Sequence, residues 1–342
     1  MFFRRTAGGL PCMIFAAAML CAPVVAISAV PAAAIVDARR DDDQPAALDL
    51  ARERRVARVG YRLASAAAAL CDQPEPMTGM VLHDIASYAA ADRAAVSRAY
   101  QLGRGFGVRL VVPDSAAARA GIRDGDEIVS LNGVDMETFA PALIGRDGSP
   151  ARIERFAAIM RDSLATGPAS LTLRRGGATV SVVLAADRGC SARFVVNTGN
   201  ERNAWSDGTG VAVTGKLVDF LRNDDELAYI LAHEMAHNIL HHAQLTKGRS
   251  STLASLGIGA GLIKATEIAA DRLAVRLMLI AHYDPRGGET FLQRFSKTEV
   301  LELAFTHQGT ARRIQTLREA RAALAGPPPM APVVPAAALP DR

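Results

Sequence analysis

The chain has 342 residues, of which 50% are hydrophobic and 22% charged, and its formal net charge at pH 7 is +4. This charge is small for the length, and no cluster of Lys and Arg is interleaved with aromatic residues. Nucleic acid is therefore not an expected partner. The composition is that of a globular protein, and the length is sufficient for two domains.

The N-terminal segment has the pattern of a secretory signal peptide. Arg4 and Arg5 precede an apolar stretch over residues 11–36, and Ala32-Ala33-Ala34 provides a small-residue cleavage site. We assign residues 1–34 to the signal peptide. Three prolines interrupt the stretch and favour cleavage, and a retained membrane anchor is the alternative. The mature protein is therefore expected to be periplasmic or secreted.

Two of the four cysteines lie within the signal peptide, so Cys71 and Cys190 remain in the mature chain. In an oxidising compartment, two cysteines favour a disulfide over free thiols, although two buried thiols are the alternative. Between the signal peptide and Cys71, residues 35–46 predict a solvated linker. Residues 47–71 predict a helix that Cys71 and the following prolines end.

A glycine-rich segment at residues 103–107 leads into an extended apolar run and then a stretch of small residues. The sequence GIRDGDEIVSLNG follows at residues 121–133, and its Asn132-Gly133 pair is typical of a hairpin turn. These features closely resemble a bacterial PDZ domain. We assign the domain to residues 77–187, and the resemblance implies a β-rich fold.

PDZ domains bind the C-terminus of a peptide as an added strand, beside the loop that precedes their second strand. The resemblance implies that Gly105, Phe106 and Gly107 form this loop here, with Phe106 facing the pocket. Protein or peptide substrates are therefore expected partners, and a C-terminus is the expected point of contact. A PDZ domain that binds no ligand and acts as a spacer is the alternative.

Residues 223–242, NDDELAYILAHEMAHNILHH, predict one largely buried helix. Asn223 can cap its N-terminus, Glu226 can complete a capping box, and the acidic first turn suits the helix dipole. Apolar residues recur at helical spacing along the segment. Four of the chain's seven histidines lie in this helix.

Residues 233–237 of this helix form an H-E-x-x-H motif. His233 and His237 are four residues apart on one helix face, so both imidazoles can bind a single Zn²⁺. Glu234 is suited to take a proton from the water that such an ion activates. A solvated helix face with a chance match is the alternative, but the capped and apolar context favours a zinc site.

A second helix is expected from Glu267 to Ala281. Zinc bound by two histidines needs a third protein ligand and an open position, and Glu267 fits as that ligand. Asp271 lies four residues further along the same face and fits as the acceptor that holds a histidine's other N–H group. A solvated acidic face next to Arg272 and Arg276 is the alternative.

The segment Lys247–Lys264 between the two helices is glycine-rich and apolar. It is too short to cross a bilayer. Three interpretations stay open: a mobile flap, a segment that contacts lipid at a membrane surface, or a packed helix of small residues.

The H-E-x-x-H motif, followed by a helix with E-x-x-A-D, resembles the HtpX-like and CAAX-prenyl-protease-type gluzincins. Further matches are Asn203-Ala204, His242, Tyr283-Asp284-Pro285, and Thr306-His307 with Arg313. Gln308 departs from the family pattern, which has proline there. The resemblance implies an α+β fold in which a mainly helical zincin of the gluzincin type, with a small β-sheet, spans residues 190–324. The Pro- and Ala-rich tail over residues 325–342 is expected to be disordered.

The same resemblance implies roles for individual residues. One Zn²⁺ per chain is bound by the two histidines and Glu267, with Asp271 and His242 supporting the ligands. His307 and Arg313 lie near the developing oxyanion as catalytic residues, and a structural Arg313 is the alternative. The strand around residues 210–214 is the edge that aligns the substrate. Insertion of the PDZ domain after the first helix brings Cys71 near Cys190.

The sequence therefore predicts a zinc-dependent endopeptidase of the cell envelope that cleaves misfolded or unassembled proteins. The main alternative is a PDZ-based adaptor or chaperone in envelope quality control with a latent or rarely used protease site, and the intact Glu234 and Glu267 argue against it. In a second alternative, His242 or the segment Lys247–Lys264 covers the zinc. A structural zinc site would be closed by four protein ligands and is disfavoured. Peripheral contact with a membrane is compatible with each interpretation.

Overall fold

The computed structural model describes residues 43–100, 102–191, 193–246, 260–297 and 309–325. The predicted signal peptide, His307, residues 247–259 and the tail beyond residue 325 lie outside these ranges. Within them, no helix combines the length and the hydrophobicity that crossing a bilayer requires.

The PDZ region contains an antiparallel sheet of six strands. Its strands run in the order β2-β3-β4-β6-β7, and β5 pairs with β4. The elements in chain order are β1 (Pro74–Met77), β2 (Met80–Asp84), α2 (Arg93–Tyr100), β3 (Phe106–Val111), α3 (Ala116–Arg119), β4 (Glu127–Leu131), β5 (Val134–Asp135), α4 (Ala151–Thr166), β6 (Ala169–Arg175), β7 (Ala178–Leu184) and β8 (Asp187–Cys190). Asn132 and Gly133 both have positive φ and form the predicted tight turn between β4 and β5.

The remaining elements form a helical domain with a three-stranded sheet. They are α1 (Asp43–Ala66), β9 (Arg193–Asn197), β10 (Ala204–Ser206), β11 (Gly210–Thr214), α5 (Gly215–Phe220), α6 (Asp224–Ile239), α7 (His242–Thr246), α8 (Ala260–Ile280), α9 (Arg286–Phe295) and α10 (Thr310–Ala325). One apolar core joins α1, the sheet and the helices α6, α8, α9 and α10. The predicted α+β fold is confirmed.

Several predicted boundaries differ from the structure. Helix α1 begins at Asp43, inside the predicted linker. Helix α6 ends at Ile239 instead of continuing to His242, because His241 adopts a left-handed backbone with φ of +53°. Asn223 caps α6 as predicted, but the Glu226 carboxylate does not complete a capping box. It accepts the Arg222 N–H at 2.8 Å and pairs with Arg294.

The prediction that residues 210–214 form the substrate-aligning edge is wrong. The sheet order is β10-β11-β9, so β11 lies in the centre and pairs antiparallel with β10 and parallel with β9. Its main-chain hydrogen-bonding groups are therefore used on both sides. Among the described strands, β10 pairs only with β11 and leaves one edge open beside α6.

Two chain segments, β1 and β8, connect the PDZ region to the helical domain. The incoming strand β1 pairs with the outgoing strand β8, and Cys71 and Cys190 are joined as a disulfide with their Cα atoms 5.6 Å apart. Helix α1 contacts the PDZ region directly through an ion pair between Glu53 and Arg109 and a hydrogen bond from Tyr61 to Asp187. The disulfide therefore links the segments that enter and leave the inserted PDZ region.

Removing the disulfide is expected to lower the free energy of unfolding by about 2–4 kcal/mol, since it no longer restricts the unfolded chain. The two cysteines are 119 residues apart in sequence. Chemical denaturation should show this loss in a Cys71→Ser, Cys190→Ser double variant. A reductant should destabilise the parent protein and leave the variant unchanged. Equal stability of the oxidised parent and the variant would contradict a stabilising disulfide.

Candidate metal centre

Helices α6 and α8 pack closely because small residues line their buried faces. Ala232 and Ala236 on α6 and Ala270 and Ala274 on α8 are fully buried in the same apolar core. This packing brings the H-E-x-x-H motif of α6 next to the acidic residues of α8. The spacing of four residues within each helix places each pair of polar side chains on one face.

Three potential ligand atoms converge between the two helices. The Nε2 atoms of His233 and His237 are 3.2 Å apart, and the Glu267 carboxylate lies 3.5 Å from the first and 3.4 Å from the second. All three ligand atoms lie within 4.8 Å of one another. Two imidazoles and one carboxylate form the donor set of a catalytic zinc site with a position left open. The residues therefore fit a zinc ion, and their roles as ligands stay a prediction.

Asp271 lies behind His233, away from the other potential ligands. Its Oδ1 is 3.0 Å from His233 Nδ1, and it also accepts a hydrogen bond of 2.9 Å from the Tyr229 hydroxyl. A histidine that donates its Nδ1–H to a carboxylate presents its Nε2 lone pair to a metal. This position suits the predicted supporting role of Asp271.

Arg313 on α10 is buried against the same carboxylate. Its Nε donates to Asp271 Oδ2 at 2.9 Å, and its Nη2 donates to Oδ1 and to the Tyr229 hydroxyl, each at 2.7 Å. Burial favours the neutral form of Asp271, but Arg313 and His233 hold its pKa well below the ordinary range. The bidentate contact favours a positioning role for Arg313, the structural alternative, over the predicted oxyanion role.

His242 contacts His237, the second of the two predicted histidine ligands. Its Nδ1 lies 3.0 Å from His237 Nδ1, on the far side of the imidazole from the potential metal position. Burial and the neighbouring His237 lower the pKa of His242 to about 4. A neutral His242 accepts the Nδ1–H of His237 and leaves His237 Nε2 available. This position contradicts the alternative in which His242 covers the zinc.

Glu234 lies at the edge strand β10. It is half-buried, and the Ser206 hydroxyl donates a hydrogen bond of 3.2 Å to its Oε2. Asn238 fastens the adjacent β10–β11 turn to α6, since it donates to the Gly210 carbonyl at 2.9 Å and accepts the Gly208 N–H at 2.8 Å. The carboxylate of Glu234 is therefore fixed beside a strand edge that is open to an extended chain.

Sequence reasoning missed Tyr229, Ser206 and Asn238. Tyr229 precedes His233 by four residues, so helical spacing alone could have placed it behind the ligands. Ser206 and Asn238 carry no such local signal, because their contacts join segments that are distant in sequence. His307 lies outside the described residues, and its role stays a prediction.

The predicted PDZ pocket at Gly105, Phe106 and Gly107 is wrong. Phe106 is completely buried and stacks on Phe156 with ring centroids 4.0 Å apart, inside the core of the PDZ region. Its strand, β3, is paired on one side with β2 and on the other with β4, so it offers no free edge. Strand β2 lies at the end of the sheet, and a groove runs between it and α4.

Zinc binding is expected to release a proton from His233. Burial and the Arg313 charge lower the pKa of this imidazole, but hydrogen bonds to Asp271 and Glu267 outweigh them and raise it to about 9. Below this pH the metal competes with a proton, so apparent zinc affinity should rise about tenfold per pH unit for each proton displaced. Competition with a chromophoric chelator between pH 6 and 8 measures this slope. An affinity independent of pH would contradict it.

Two histidines with a glutamate between them on one helix, facing a carboxylate on a second helix, have the arrangement that a metallopeptidase centre requires. Residues 181–269 match the family model described as peptidase family M48, and residues 107–153 match that of the PDZ domain. The chain thus carries one segment that matches peptidase family M48 and one that matches the PDZ domain, and the resemblance found in the motifs is confirmed. No curated protein matches the chain.

Two solved structures are similar to about a third of the chain. The HtrA3 PDZ domain bound to a phage-derived ligand, FGRWV, is 21% identical, and the match covers 34% of this chain and 89% of that one, with a TM-score of 0.25. The HtrA-type protease AlgW with a decapeptide is 19% identical, with 34% and 29% covered and a TM-score of 0.24.

Proposed function

We propose that this protein is a zinc-dependent endopeptidase of the cell envelope that cleaves misfolded or unassembled proteins. The observation that carries the proposal is the convergence of His233, His237 and Glu267 on one point, with Glu234 held beside them at an open strand edge. A carboxylate base beside a metal site with three protein ligands has a role when a water molecule reacts at the open position of the metal.

The chain's own residues account for the steps of hydrolysis. His233, His237 and Glu267 would hold the zinc, which when bound acts as a Lewis acid toward the scissile carbonyl and acidifies water. Glu234 takes a proton from the attacking water onto its carboxylate and later delivers it to the leaving amine. Ser206 orients that carboxylate during both transfers.

An extended substrate segment fits the edge of β10. This strand ends at Ser206, whose side chain contacts Glu234, and its outer edge is unpaired among the described strands. A chain added along this edge passes the base with its peptide groups aligned by main-chain hydrogen bonds. Unfolded segments can adopt this conformation and folded proteins cannot, which supports misfolded or unassembled proteins as substrates.

Two features support action in an oxidising envelope compartment. The N-terminal residues have the pattern of a secretory signal peptide, and Cys71 and Cys190 are joined as a disulfide. Disulfides persist in the periplasm and outside the cell and are rare in the cytosol. Periplasmic or secreted localisation is therefore part of the proposal.

The test compares a permanently unfolded protein, reduced and alkylated, with its native form as substrates. We expect internal cleavage of the unfolded form, loss of cleavage with a chelator, and recovery with zinc. Mass spectrometry of the products separates endopeptidase from exopeptidase activity. If the zinc-loaded protein cuts neither form but suppresses aggregation of the unfolded one, the adaptor or chaperone alternative gains.

A further inference from the structure

Two histidines that contact each other beside the candidate metal position are five residues apart in sequence. The Nδ1 atoms of His237 and His242 are 3.0 Å apart. In a continuous α-helix, residues five apart are rotated by about 140° around the axis, so their side chains lie on nearly opposite faces and cannot meet. The contact between the two imidazoles therefore depends on how helix α6 ends.

Helix α6 ends in a cap that contains a left-handed residue. His241, the second residue after the helix, has φ of +53°, and its N–H donates to the Asn238 carbonyl at 3.0 Å. In caps of this type, the third residue after a helix folds back against the third residue from its end. These two positions are occupied here by His242 and His237. The cap itself thus brings the two imidazoles together.

Histidine is an uncommon residue at the left-handed position of such a cap. Glycine is usual there and asparagine occurs, because a Cβ atom disfavours this conformation. A residue other than glycine stays left-handed only where the surrounding structure holds it. Helix α7 begins directly after His241, and the Gln244 N–H donates to the His241 carbonyl at 3.0 Å. Segments on both sides therefore bond to the main chain of this residue.

The side chain of His241 contacts Asp72 and not the converging ligand atoms. Its Nε2 lies 2.9 Å from Asp72 Oδ2, and both side chains are exposed. The three atoms that converge on the candidate metal position come from other residues. An exposed ion pair contributes little to stability. What His241 supplies to the site is therefore its backbone conformation.

We propose that His241 is a positioning residue for zinc binding. Its left-handed backbone holds His242 against His237 and so fixes the orientation in which the His237 imidazole meets the metal. This inference rests on the proposed function, because it takes His237 to be a zinc ligand. A residue that adopts the left-handed conformation easily should replace His241, and a residue that resists it should weaken zinc binding.

The experiment measures zinc affinity of the full chain by competition with a chromophoric chelator. We expect His241→Gly and His241→Asn to bind zinc within about threefold of the parent protein, since both residues adopt the left-handed conformation. His241→Val should bind about 10-fold more weakly, because a β-branched residue resists this conformation and the support of His237 is lost. Thermal unfolding of the metal-free forms establishes that each variant is folded. His241→Ala should fall between the Gly and Val variants, and it decides the question if the Val variant unfolds.

Gln244→Val is the matched control, because Gln244 is exposed and lies within helix α7. It should bind zinc as the parent does. His242→Ala should lower the affinity by about 10- to 100-fold, as loss of a partner behind a ligand does. Adding His241→Val to His242→Ala should change the affinity by less than about threefold, since both substitutions remove the same contact.

The inference is overturned if folded His241→Val binds zinc as the parent does, or if His241→Gly loses as much affinity as His241→Val. Additive losses in the double variant would overturn it as well. Absence of zinc binding by the parent protein would overturn both this inference and the proposed function. Zinc binding by the parent without cleavage of an unfolded protein would contradict the proposed function and leave this inference standing.

Discussion

Replacement of Glu234 by Gln is expected to reduce peptide-bond hydrolysis by about 10²- to 10⁴-fold, the usual contribution of a general base. Glutamine has nearly the same size and can keep the hydrogen bond from Ser206, but its amide cannot take a proton from water. Glu234 is not among the three converging ligand atoms. Zinc content and thermal stability should therefore match those of the parent protein.

Metal analysis and cleavage of an unfolded protein, measured on the same preparations, test this expectation. Glu319→Gln is the control, since Glu319 is an exposed glutamate on α10 whose side chain accepts a hydrogen bond from Gln315. Its activity should equal that of the parent. Full activity in Glu234→Gln would exclude Glu234 as the base. Zinc without activity in the parent itself would favour the latent or adaptor alternative.

Replacement of Glu267 by Gln is expected to weaken zinc binding by at least about 100-fold. Loss of a partner behind the ligands already costs about 10- to 100-fold in affinity, and Glu267 is predicted to be a ligand itself. The amide removes the negative charge that faces both imidazoles at 3.4–3.5 Å. Activity at limiting zinc should fall in parallel and recover partly when zinc is added.

Zinc affinity is measured by competition with a chelator, and thermal unfolding of the metal-free form serves as a check on folding. Glu319→Gln is again the control and should bind zinc as the parent does. Unchanged affinity in Glu267→Gln would show that the third ligand is a different residue. Asp271 would then be the first candidate, because it also contacts His233.

The convergence of His233, His237 and Glu267 could be predicted from the sequence because the spacing that orients each residue is local. His233, Glu234 and His237 lie within one helix turn, and Glu267 and Asp271 within another, so helical spacing alone orients each group. The packing of α6 on α8 then needs only small residues at the contact. The chemistry of zinc suggested the roles of Glu234, Glu267 and Asp271, whereas the roles of His242, His307 and Arg313 came only from the family resemblance.

The features that were predicted wrongly depend on pairing between distant segments. Gly105 and Phe106 have the residue types of a binding loop, but β3 is paired on both sides, and the open edge belongs to β2. In the same way, β11 lies between β9 and β10 because of a parallel pairing that no local pattern reveals. Arg313 lies more than 40 residues from Asp271, and only the fold shows that the two side chains meet.

The most direct test of the central claim is a zinc titration of the chelator-stripped protein, with cleavage of an unfolded substrate measured at each addition. If His233, His237 and Glu267 form the catalytic site, activity should rise linearly and reach a plateau at one equivalent of zinc per chain. X-ray absorption at the plateau should show nitrogen and oxygen ligands only. Cleavage by the stripped protein, or a plateau without cleavage, would contradict the account.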